Sequence, residues 1–159
     1  MTVTLIGLPS SGKSTIGRAL ATATGRPFID LDAEIVSMAG RDIPTIFREA
    51  GEAAFRDIES EAVRIVSQRT GAVIATGGGA VLREENVKRL KRNGILCFLD
   101  RPLEALTPTS DRPTASDRAA IEARYRERLP IYRAAADLSF PVGDDFGDTL
   151  SLIRKELSL

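Results

Sequence analysis

The sequence predicts an α/β fold. Three observations carry that expectation: short apolar runs of strand length, amphipathic segments between them, and a glycine-rich turn where the first run meets the first amphipathic segment. The apolar residues within each run are consecutive rather than alternating. That pattern fits strands buried on both faces of a parallel sheet. Strands alternating with helices imply right-handed βαβ units.

The first run, residues 3–6, stops at Gly7. Ile16, Ala19, Leu20 and Ala23 then recur at helical spacing, and Gly25 supplies a stop. Residues 28–29 form a short second run ending in Asp30-Leu31-Asp32, with a helix expected over 33–39. Phe55, Ile58, Ala62 and Ile65 predict a helix of about 17 residues starting near Gly51. The third run, 72–76, ends at Gly77-Gly78-Gly79. Val87 and Leu90 mark a helix closed by Gly94, and 95–99 is the fourth strand. A loop rich in Pro, Ser, Thr and Asp covers 107–117. Ile121, Tyr125 and Leu129 mark the next helix, 138–142 is the fifth strand, and Leu150, Ile153 and Leu157 mark a final helix. No repeat or linker divides the chain, so residues 1–159 read as a single domain.

Composition narrows the function. Hydrophobic residues make up 43% and charged residues 28%, which suits a globular core. Lys plus Arg number 22 against 22 Asp plus Glu, so neither a basic nucleic-acid footprint nor a polybasic membrane anchor is expected. There is no His, which excludes an imidazole base, a His-ligated zinc and a Ser-His-Asp triad. Cys97 is the single cysteine, so no disulfide can form within the chain. The start of the chain lacks a basic n-region and the apolar runs are too short to span a bilayer. A cytoplasmic location is the expectation.

Gly7-Leu8-Pro9-Ser10-Ser11-Gly12-Lys13-Ser14 fits G-x-x-x-x-G-K-[ST] completely, between an expected strand and an expected helix. Glycines let the backbone curl so that successive N–H groups face phosphate oxygens. The helix N-terminus, opened by Ser14 and Thr15, adds its dipole. Lys13 would place a cation on the β- and γ-phosphates, and Ser14 a hydroxyl on Mg²⁺. The bland alternative is a glycine-rich turn with a surface lysine. No Asn/Thr-Lys-x-Asp guanine signature is present, which leaves a small-molecule kinase as the class of choice.

Further candidates fall at strand ends and helix faces. Asp30 and Asp32 close the second strand, where ligands of open α/β sheets bind. One carboxylate can face a metal and the other an acceptor hydroxyl; alternatively Asp32 only caps helix 33–39. Arg56 and Glu59 are i, i+3 neighbours, either a surface ion pair or an arginine reaching into the cleft for an anionic group. Gly77, Gly78 and Gly79 allow close approach of a ligand, or serve a plain turn. Arg112, in the polar loop, suits a lid that closes over phosphates, or is merely solvated. Pro130 is expected to distort its helix beside Arg128, the arginine singled out from a local basic group.

In this order and spacing the motifs resemble those of shikimate kinases: the phosphate loop, Asp30-x-Asp32, Phe55-Arg56-x-x-Glu59, Thr76-Gly77-Gly78-Gly79, Arg112-Pro113 and Arg128-x-Pro130-x-Tyr132. The resemblance implies a three-layer P-loop kinase fold with a five-stranded parallel sheet in the order 2-3-1-4-5. It also implies a substrate-binding region near 32–60, a lid near 107–117, and ATP-dependent phosphorylation of the shikimate 3-hydroxyl. On that resemblance, Lys13, Ser14 and the rest of the loop hold ATP, and Asp30 reaches Mg²⁺ through water. Asp32 binds the shikimate hydroxyls and is the candidate base. Arg56 and Arg128 hold the carboxylate with Gly77, Gly78 and Gly79, and Arg112 meets the transferring phosphate. The expected partners are ATP and shikimate, with the chain a monomer. The sequence departs from the family pattern in having Thr114-Ala115 after Pro113, and in the segment 105–108 where an adenine-contacting Arg-Thr pair is common. A kinase for gluconate or a nucleoside monophosphate, and a catalytically weak nucleotide-binding module, are the competing readings.

Overall fold

The computed structural model describes residues 1–107 and 117–159. The first half of the chain runs β1 (Thr2–Ile6), α1 (Lys13–Thr24), β2 (Phe28–Asp30), α2 (Leu31–Ala39), α3 (Ile43–Val66) and β3 (Val73–Ala75). The second runs α4 (Glu84–Arg92), β4 (Gly94–Asp100), α5 (Arg118–Ala135), β5 (Leu138–Pro141) and α6 (Phe146–Leu157). Among the described residues the strands form one five-stranded parallel sheet in the order β2-β3-β1-β4-β5. The α/β class and the strand order expected from the sequence are both borne out.

Central position explains strand composition. β1 lies between β3 and β4, and all five of its residues are buried. The edge strands β2 and β5 each keep residues partly in solvent. Side chains then alternate between two cores. Val3, Leu5, Val73, Cys97 and Leu99 pack with Ile16, Leu20 and Ile153 of α1 and α6 on one face. Ile6, Ile74, Leu96 and Phe98 pack with Phe55, Val63, Leu90 and Tyr132 of α3, α4 and α5 on the other. The period-2 alternation of a strand is thus what produces three layers.

Three local expectations change. α3 starts at Ile43, well before the helix expected near Gly51. Asp42 caps it by accepting a hydrogen bond from Thr45 N–H at 2.9 Å, and Pro44 sits in its first turn, where its missing donor costs nothing. Gly51, at φ 86°, ψ 173°, kinks this helix and so resets the face presented after it. α2 begins at Leu31, not Ala33, and its cap is Asp30 rather than Asp32. Pro130 removes one backbone donor, yet α5 runs through it uninterrupted.

The strands all point the same way, so their carboxyl ends share one edge. The loop after β1, Asp30 after β2, the glycine turn after β3 and Arg101 after β4 all emerge there.

Candidate active site

At that edge lies a cavity of about 660 Å³. Pro9, Ser10, Gly12, Lys13, Ser14 and Thr15 line one side. Asp30, Asp32, Gly77 and Gly78 line another. The loop before α1 takes its shape from three residues at positive φ: Gly7 at 152°, Ser10 at 64° and Gly12 at 102°. Two of these positions also lack room for a side chain. A Cβ on Gly7 would meet the Leu99 carbonyl oxygen at 2.9 Å, and one on Gly12 would meet the Phe146 ring at 3.0 Å. Ser11 is fully buried behind the loop. Lys13 is 8% exposed, and its ammonium donates to the Gly7 and Leu8 carbonyls at 2.8 and 2.7 Å. The cation is therefore folded over the loop it belongs to, within a cradle of backbone groups suited to phosphate.

Asp30 stands where strand becomes helix. One of its carboxylate oxygens accepts from Asp32 N–H at 2.9 Å and Ala33 N–H at 3.3 Å. This anchors α2 and carries Asp32, in the first helical turn, to the cavity wall. Ser14 and Asp30 face the same cavity as Lys13. Their oxygens are hard donors of the kind Mg²⁺ prefers. No cluster of three acidic or thiol ligands occurs among the described residues.

Arg56 and Arg128 lie behind the glycine turn and are almost fully buried, at 7% and 2% exposure. Neither guanidinium is a surface charge. Arg56 donates to Glu59 at 2.9 Å, and Glu59 has no exposure at all, so the surface-pair reading of these residues is overturned. A second contact reaches Glu52 at 3.3 Å. A Cβ on Gly79 would fall 2.3 Å from Arg56 Nη1, so glycine alone admits the guanidinium there. Gly78 is wedged between Pro9 and Arg128 Nη1, which a Cβ would meet at 2.8 and 3.2 Å. Burial pulls the Arg128 guanidinium below its ordinary value, Tyr132 offsets this in part, and the cations of Arg124 and Arg56 add to it. Its Nε and Nη2 have no hydrogen-bond partner among the described residues. A buried cation with unsatisfied donors beside another cation is chemically suited to an anion.

Of the sequence candidates, Pro9, Ser10, Gly12, Lys13, Ser14, Thr15, Asp30, Asp32, Gly77 and Gly78 line this cavity, whereas Arg56, Arg128 and Gly79 sit behind the glycine turn and do not line it. Arg112 lies outside the described residues. Several lining residues had escaped the sequence reading. Val36, Asp42, Ile43 and Pro44 come from α2 and the start of α3, the helix segment the periodicity did not reveal. Arg101 and Phe146 form a guanidinium–ring contact of 5.0 Å at the other end. Arg101 directly follows β4, so the rule that ligands bind at the carboxyl ends of strands was the available signal.

The model of the shikimate kinase family matches residues 9–147. A shikimate kinase of Bordetella avium (strain 197N) is 42% identical over 146 residues, covering 87% of this chain and 70% of that protein. One from Clostridium beijerinckii (strain ATCC 51743 / NCIMB 8052) is 40% identical over 157 residues, 96% of this chain and 92% of its own length. Among solved structures, the shikimate kinase from Acinetobacter baumannii in complex with shikimate superposes with a TM-score of 0.92 at 31% identity. That match covers 99% of this chain and 93% of the other.

Proposed function

The chain belongs to the shikimate kinase family, a family of phosphotransferases, and from that premise we propose that it transfers the γ-phosphoryl group of ATP to the 3-hydroxyl of shikimate. The product, shikimate 3-phosphate, lies on the route to chorismate and the aromatic amino acids. The observation that carries the choice of acceptor is the pair of buried guanidiniums, Arg56 and Arg128, packed against Gly79 and Gly78 next to the phosphate loop. A guanidinium fork matches a carboxylate, and two of them in a low-dielectric wall bind one strongly.

Each residue then has a task. The backbone of the loop from Gly7 to Thr15 cradles the phosphates, with Pro9, Ser10, Ser11 and Gly12 shaping it. Lys13 moves its ammonium from the loop carbonyls to the β- and γ-phosphates. Ser14 and Asp30 would hold Mg²⁺, Asp30 through water, and the ion supplies charge neutralisation across the phosphates when bound. Asp32 orients the acceptor hydroxyl and takes its proton as the new O–P bond forms and the bond to the ADP oxygen breaks. Gly77, Gly78 and Gly79 give the acceptor close access to backbone. Arg112, outside the described residues, is assigned to the charge of the transferring phosphoryl on the family resemblance. The rate gain comes from positioning and electrostatics, as phosphoryl transfer demands.

The chain is proposed to act as a cytoplasmic monomer with ATP and shikimate as its only partners. No helix among the described residues is long and apolar enough to cross a membrane. ADP release measured across shikimate, gluconate and nucleoside monophosphates, with and without Mg²⁺, tests the assignment. Turnover with shikimate alone is expected. Turnover with another acceptor, or ATP binding without any turnover, would overturn it.

A further inference from the structure

Tyr132 takes no part in the chemistry above, yet it touches both halves of the acceptor wall. Its side chain is fully buried in α5. The ring stacks on Phe98 of β4, with centroids 5.2 Å apart and planes at 22°. Its hydroxyl donates to the Gly78 carbonyl oxygen. One helical turn earlier on the same face stands Arg128, whose Nη1 a Cβ on Gly78 would meet at 3.2 Å. Tyr132 and Arg128 therefore meet at the same glycine, one holding its carbonyl and the other packed against its Cα.

The consequence follows from peptide geometry. A trans peptide points its C=O and the following N–H in opposite directions, and no cis peptide occurs among the described residues. Holding the Gly78 carbonyl on Tyr132 fixes the plane of the Gly78–Gly79 peptide. Gly78 abuts Arg128 and Gly79 abuts Arg56. Glycine has no side chain to keep this turn in place, so its orientation must come from a neighbour. We propose that Tyr132 is the positioning residue of the acceptor site, setting the glycine turn in register with the Arg128 guanidinium.

A buried tyrosine hydroxyl needs some partner in any fold, so the test must separate positioning from packing. The inference rests on the proposed transfer to shikimate, and the wild-type enzyme guards that premise. Tyr132→Phe keeps the ring and removes the oxygen. The expected result is a shikimate KM raised about tenfold, the loss of roughly one buried hydrogen bond, with kcat and the ATP KM nearly unchanged. Ile153→Val, a core change on the far face of the sheet, is the control for stability alone and is expected to leave both KM values at wild type. Phe98→Leu, which loosens the ring but keeps the hydroxyl, is expected to raise the same KM by a smaller factor. A Tyr132→Phe enzyme with wild-type shikimate KM overturns the proposal. So does a Phe98→Leu enzyme in which both KM values rise together. A wild-type chain without shikimate-dependent ADP release would instead sink the functional reading.

Discussion

On the proposed phosphate side of the cavity the candidate binding groups belong to one contiguous loop and are largely backbone atoms. On the proposed acceptor side they are charged side chains delivered by α3 and α5 from behind the glycine turn. The first arrangement hides little charge. Lys13 places its ammonium on carbonyls of its own loop. The second buries two guanidiniums and a carboxylate, which is costly unless each finds a partner. Arg56 has its partner in Glu59, whereas two nitrogens of Arg128 have none among the described residues. One side is therefore satisfied by its own loop, and the other buries a cation with two nitrogens unpaired among the described residues.

The largest expected effect is on the phosphate side. Lys13→Ala should lower kcat by about 10³ while the fold survives, since one preorganised charge on the transferring group is worth this much. Initial-rate ADP release and a thermal melt check both parts. An inactive chain that also fails to fold would mean that Lys13 holds the loop together, and the contrast with Arg56 would disappear.

Next in size are the two arginines, which should separate cleanly. Arg56→Ala removes the partner of a carboxylate that has no exposure, at a cost of about 3 kcal/mol or more, and Tm should fall by roughly 10 °C. Arg128→Met fills similar space without a charge, so stability should hold or rise, because a desolvated cation is removed. Its shikimate KM should nevertheless increase about 10- to 100-fold. Equal losses of stability in the two variants would show that Arg128 is as fully paired as Arg56. Gly79→Ala should displace the Arg56 guanidinium, whose place its Cβ would occupy, and raise the shikimate KM.

These differences also explain what could be read from the chain. The phosphate loop was legible because its function needs consecutive residues, and a backbone cradle leaves its signature in glycine spacing. β3 and β4 were legible because they are buried and read as consecutive apolar residues, and β1, though equally buried, is interrupted by Thr2 and Thr4. The start of α3 was missed because Gly51 resets the helical phase, so residues 43–50 do not share a stripe with Phe55 and Ala62. Asp42 followed by Pro44 was its overlooked start signal. The burial of Arg56 and Glu59 was not legible, since i, i+3 spacing is the same on a wet face as on a dry one. Asp32 and Asp30 exchanged capping roles because the strand-to-helix junction came two residues earlier than the periodicity suggested.

That junction gives a smaller test. Asparagine caps nearly as well as aspartate, so Asp30→Asn should leave Tm within about 1 °C while activity becomes more dependent on Mg²⁺ concentration. Asp30→Ala should in addition lose about 1 kcal/mol of stability with the two bonds to Asp32 and Ala33. If asparagine proved as disruptive as alanine, the charge on Asp30 would matter to the fold as well as to the metal.

The smallest effect, absent at neutral pH, concerns the sheet on which both sides stand. Cys97 lies in β4 opposite Leu5 of β1. Burial, followed by the charge of Asp137, pushes its thiol from about 9.0 up to about 12. Between those values an unfolded chain loses the thiol proton while the folded chain keeps it. The unfolded state then binds fewer protons, so the contribution of this group to stability falls as pH rises, by up to about 1.4 kcal/mol per pH unit. Below pH 9 both states are protonated and the contribution is constant. Urea unfolding of the wild type and of Cys97→Ala should therefore differ by a fixed amount up to pH 9, and the wild type should lose ground to the variant above it. A constant difference through pH 11 would show that water reaches the thiol. The dry central sheet would then not be the common support that the backbone-built and side-chain-built halves of the cavity require.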